Sequence, residues 1–64
     1  MNLTEFTAAV NALERAKVEK LNEKYRAGEL LFGAKHHEYP ESMLSYYFNA
    51  GMTPEQAVRE IEAG

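Results

Sequence analysis

The sequence predicts an all-α fold: one long N-terminal helix, an irregular apolar connection, and a two-helix C-terminal corner. Three observations predict it. No glycine or proline interrupts residues 3–27, where alanine, leucine, glutamate, lysine and arginine dominate. Gly28 and Gly51 each follow a stretch of helical periodicity, where a left-handed residue ends a helix. Pro40 and Pro54 stand where helices begin. The 64 residues are read as one small domain, with helices over about 3–27, 40–50 and 54–63 and a connection over 28–39.

Asn2 is a good N-cap for the first helix, and Glu5 three residues on can close a capping box. The residues that follow lose little rotamer freedom in a helix. Lys24 and Arg26 fall in its last turn, facing the negative end of the helix dipole. Such a helix is roughly 37 Å long, more than a compact domain of this size can cover. Its apolar stripe runs Leu3, Phe6, Val10, Leu13, then Val18, Leu21, Tyr25. The step of five between Leu13 and Val18 breaks the phase, and Lys17 lands where the next heptad residue belongs. The two pieces therefore face different things. The first packs on the C-terminal helices, and the second, Val18, Leu21 and Tyr25, faces a second chain or nothing.

In the connection, Leu30-Leu31-Phe32 is an apolar triplet without helical or strand periodicity. It reads as an irregular segment with all three side chains buried. Tyr39, before a proline, is steered away from helix. Pro40 fits the first helical position, with Glu41 in the first turn. Met43, Leu44, Tyr47 and Phe48 share one face of that helix and Tyr46 points off it. Thr53, Pro54 and Gln56 compose the start of the last helix, a Thr-x-x-Gln capping box. Ala57, Val58 and Ile61 form its inward face, with Arg59, Glu60 and Glu62 outward.

Composition narrows the functional classes. The chain has no cysteine, which removes disulfides and thiolate metal sites and fits a reducing compartment. Its N-terminus lacks the basic and apolar regions of a signal peptide, and nothing reaches the roughly 18 apolar residues of a membrane span. The expected location is the cytoplasm. A chain this short buries only about 60% of its unfolded surface, so extra stability has to come from another chain. A homodimer is expected, with Val18, Leu21 and Tyr25 at its contact.

The net charge of −3 is unevenly placed. Acids and bases cancel over residues 1–39, whereas residues 40–64 set Glu41, Glu55, Glu60 and Glu62 against Arg59 alone. That corner repels phosphate and favours a basic partner surface. In a DNA-reading helix-turn-helix, the outward positions of the second helix meet phosphates and base edges. Here Glu55, Glu60 and Glu62 would hold those positions and forfeit counterion release. His36-His37-Glu38 is no metal motif, because adjacent histidines project apart; a solvated loop is the plainer reading. Ser42 and Ser45 have no nucleophile-elbow context, and so small a chain has difficulty enclosing a dry pocket. No enzymatic role, cofactor or metal is expected.

What stands out is the crowd of interface-prone side chains, Tyr39, Tyr46, Tyr47 and Phe48 beside Met43 and Met52. The sequence thus points to a small interaction module, an inhibitor or adaptor that occupies a partner protein's surface. Its length and acidity suit an accessory protein of a phage or mobile element. The expected binding face is Tyr46 with Glu55, Arg59, Glu60 and Glu62. The alternative is nucleic-acid association through Arg15, Lys17, Lys20, Lys24 and Arg26, against which the interleaved Glu14, Glu19 and Glu23 stand.

Overall fold

The computed structural model describes residues 1–64 and is all-helical: α1 spans Leu3–Arg26, α2 Glu41–Asn49 and α3 Pro54–Ala63. At the start of α1, the Asn2 side chain accepts the Glu5 N–H at 2.8 Å while Glu5 accepts the Asn2 N–H at 2.9 Å. Two of the helix's orphan donors are thereby satisfied. At its end Gly28 adopts φ 82°. The Gly28 N–H donates to the Tyr25 carbonyl and the Glu29 N–H to that of Lys24, a Schellman termination. Gly51, at φ 79°, ends α2 in the same way, its N–H on Phe48 and that of Met52 on Tyr47. Thr53 and Gln56 exchange the expected capping-box bonds at the start of α3.

Pro40 differs from expectation by one residue. At ψ 156° it is the N-cap of α2 rather than its first helical residue. A proline cap offers no side-chain acceptor, and its carbonyl instead takes the Met43 and Leu44 N–H groups. The Thr4 hydroxyl donates to the Glu41 carboxylate at 3.0 Å, which ties the start of α2 to the start of α1.

The core lies where the corner meets the N-terminal half of α1. Phe6, Val10, Leu44 and Ala57 are fully buried there, with Leu3, Tyr39, Tyr47, Phe48, Val58 and Ile61 packed around them. Phe6 and Phe48 meet at a tilt, ring centroids 5.4 Å apart. The seam closes at Lys17, which pairs with Glu62 in the last turn of α3. The phase break in the α1 stripe therefore marks the edge of the core. Lys17 occupies the next heptad position because the partner there is a carboxylate.

Beyond that edge, the connection itself covers α1. Residues 34–39 run back along the helix as an extended strap held by two asparagines. Asn22 accepts the Ala34 N–H at 2.7 Å and donates to the Ala34 carbonyl at 3.0 Å. Asn11 does the same for Tyr39, at 2.8 and 3.1 Å. Each amide gives one backbone unit the donor and acceptor that a neighbouring strand would otherwise supply. The two asparagines are three helical turns apart and so share a stripe, and the intervening helix rises about 16.5 Å. The five extended steps from Ala34 to Tyr39 span about the same length at ~3.3 Å each. The two lengths match without slack. Val18 sits on that stripe between the asparagines and is only 8% exposed. At the far end Gly33 passes so close to α1 that a Cβ there would lie 2.9 Å from Asn22 Oδ1 and 3.5 Å from the Tyr25 ring.

The triplet Leu30-Leu31-Phe32 is not buried as expected: Leu31 is 88% exposed, Phe32 81%, and Leu30 is also exposed. The reason is geometric. The strap covers one stripe on the distal half of α1, the one that carries Val18, and the core where α2 and α3 pack lies on the proximal half. Residues 28–33 reverse the chain around the helix end with no second layer above them.

The clamps make a quantitative prediction. Asn11 is nearly buried, and Asn11→Ala strands the N–H and C=O of Tyr39, so it should cost about 2–4 kcal/mol. Asn22→Ala, at the less covered end, should cost about 1 kcal/mol. Urea midpoints of the two variants check the order and the gap.

Candidate functional site

Tyr46 reaches solvent because Leu44 and Phe48, two residues to either side, point to the core. Its ring is 72% exposed and stands edge-on to Tyr47, centroids 5.3 Å apart at 85°. An aromatic side chain so placed offers a partner a large apolar ring with a polar tip.

On α3, Glu55, Arg59 and Glu62 recur at steps of four and three and form one exposed stripe, while Glu60 lies on the flank with Gln56. They are not equivalent. Glu62 is engaged by Lys17, so part of the corner's negative charge is cancelled across the seam. Arg59 makes no ion pair. It lines an open groove of about 380 Å³ with Met52, Gln56, Glu60 and Ala63. The structure thus joins Arg59 and Glu60 in one concavity, which Tyr46, Glu55 and Glu62 do not line. Sequence reasoning missed Met52 and Gln56 as members. The signal was the spacing 52, 56, 59, 63, which continues one helical stripe into the turn.

The expected contact of Val18, Leu21 and Tyr25 is divided. Val18 lies under the strap and is no free surface, because its own chain already covers it. Leu21 and Tyr25 remain exposed at the distal end of α1, beside the loop that displays Leu31 and Phe32.

His36, His37 and Glu38 form more than a solvated loop. His37 is exposed, but His36 is half-buried on the strap. Its Nε2 meets Glu38 Oε1 at 2.9 Å, and the Arg15 guanidinium donates to the same oxygen at 2.9 Å. The His36 bond, aided by Arg15 against a smaller desolvation effect, holds the Glu38 carboxyl below its usual value. Burial, with Glu14 nearby, pushes the Tyr39 phenol above its usual value. No group of three histidine, cysteine or carboxylate side chains is placed to hold a metal ion. No helix is long and apolar enough to cross a membrane.

Compared with known protein families, curated proteins and solved structures, the chain matches none.

A lowered carboxyl value links the strap to pH. The folded form favours ionised Glu38, so its contribution is complete above the ordinary value near 4.5 and is lost as pH falls through the lowered one. Glu38→Gln should lower the denaturant midpoint at pH 7. The gap from the parent should close as the titration is carried below about pH 4.

Proposed function

We propose that the protein is a small non-enzymatic interaction module that binds and occupies a surface of another protein, as an inhibitor or adaptor. The observation that carries this reading is Tyr46, an aromatic side chain set edge-on to Tyr47 and left 72% exposed on the acidic corner. Aromatic side chains of this kind are the common anchors of protein interfaces, and surrounding charges steer the encounter. Arg59, free of any ion pair beside Glu60 in the α3 groove, adds a second directional contact. Glu55 and Glu60 favour a partner with a basic surface. The cysteine-free composition suits action in the cytoplasm.

Nucleic-acid association is the weaker reading, and ion pairing weakens it further. Of the five bases of α1 that would carry it, Arg15 pairs with Glu38, Lys17 with Glu62 and Arg26 with Glu19. Lys20 and Lys24 alone are left for phosphate, too few for strong counterion release.

A photo-crosslinking side chain at position 46 tests the proposal inside cells that make the protein. The expected result is one discrete adduct, absent when the probe replaces exposed Lys20. Against that partner in purified form, Tyr46→Ala should weaken binding several-fold or more with an unchanged Tm, and Glu60→Lys should slow association. A probe at position 46 that captures nothing, or a Tyr46→Ala variant that binds as before, contradicts it.

A further inference from the structure

At the end of the molecule opposite the corner, Leu21, Tyr25, Leu30, Leu31 and Phe32 are all exposed. The loop that carries three of them is fixed at both ends. The Schellman bonds of Gly28 and Glu29 hold one side, and the Asn22 clamp on Ala34 holds the other. It is a displayed loop with anchored ends, and ordering it on contact costs little. We propose that this apolar tip is the contact between two copies of the chain, joined tip to tip about a twofold axis. The proposal is independent of the partner-binding role of the corner.

Area, charge and core size each favour a second copy as the occupant. The chain exposes 4649 Å², where a compact monomer of 7.3 kDa exposes about 4,200 Å². Its radius of gyration is 13.2 Å, against about 11 Å for a compact chain of this length. The five tip residues display on the order of 500 Å², about the same as that excess. Two tips covering each other would take about that much surface out of water on each chain.

Charge points the same way. Around the tip, Lys20, Lys24, Arg26 and Lys35 alternate with Glu19, Glu23 and Glu29. Such a mixed rim meets its own twofold copy without net repulsion. The corner holds the net negative charge of the chain and would repel itself. The chain also has few apolar side chains buried within itself, namely Phe6, Val10, Val18, Leu44 and Ala57. For a core so small, burial against an identical chain is the extra source of stability that is always present. The tip is smaller than the roughly 800 Å² per partner of a standard interface, so the proposed dimer is a weak one.

Sedimentation equilibrium on the full chain from about 1 to 200 μM tests this, since self-association is governed by concentration. The parent should fit one monomer–dimer equilibrium whose upper mass is twice 7.3 kDa. Phe32→Glu and Leu31→Glu should each weaken the dimer at least tenfold. Both sites are solvent-exposed in the monomer, so the helical circular dichroism should be preserved. Tyr46→Ala should dimerise as the parent does, which separates this proposal from the binding role of the corner. Chemical-shift changes on dilution should cluster at residues 21–32. The proposal is overturned by a monomer mass throughout, by association that continues past the dimer, or by glutamate variants that dimerise unchanged.

Discussion

Asn11 and Asn22 stand three turns apart on one stripe of α1, and each engages both backbone groups of a single strap residue. An extended segment with no neighbouring strand would ordinarily leave its N–H and C=O groups to water. Here two side-chain amides serve as that strand at its two ends. Because the helical rise and the extended rise match over this interval, fixing both ends also fixes the course between them. Arg15 meets Glu38 along this course, and Val18 disappears beneath it. The same clamp delivers Tyr39 to the core and places Pro40 to cap α2.

The division of the molecule follows from that constraint. The strap occupies the distal stripe of α1, so the corner can pack only on the proximal half, where Phe6 and Val10 meet Leu44 and Ala57. One end is thereby acidic and carries Tyr46, and the other is charge-balanced and apolar. The molecule measures 41 × 20 × 16 Å, so these ends are well separated. A contact at one leaves the other free. Two copies joined at the apolar ends would present two corners at once, and a partner with repeated sites would be held by both.

Much of this could be read from the residues. The capping pairs Asn2–Glu5 and Thr53–Gln56 and the glycine terminators at 28 and 51 have local causes, so local reasoning placed them. The phase break at Lys17 correctly announced two environments along α1. What covers the second of them was not legible. An asparagine inside a helix reads as a poor helix former, and the bonds that justify Asn11 and Asn22 reach 28 and 12 residues along the chain. Their eleven-residue spacing was the available signal. An apolar triplet such as Leu30-Leu31-Phe32 points to burial; its exposure depends on where the chain reverses at the end of α1, beyond the reach of α2 and α3. The exposure of single candidate residues was legible. Tyr46 was expected off the apolar face of α2 and stands exposed there. The capture of Glu62 by Lys17, and the groove joining Arg59 to Met52 and Gln56, depend on how α3 lies on the rest of the fold.

Amide hydrogen exchange at single-residue resolution tests the clamped strap most directly. The backbone N–H groups of residues 35–38 have no hydrogen bond within the chain, whereas those of Ala34 and Tyr39 end on asparagine side chains. Protection should therefore be confined to the two ends of the strap, with Tyr39 exchanging nearly as slowly as the core amides of α1 and residues 35–38 exchanging fast. Exchange of Tyr39 and Ala34 at the rate of their neighbours would contradict the account, because the asparagine side chains are the acceptors of those two N–H groups.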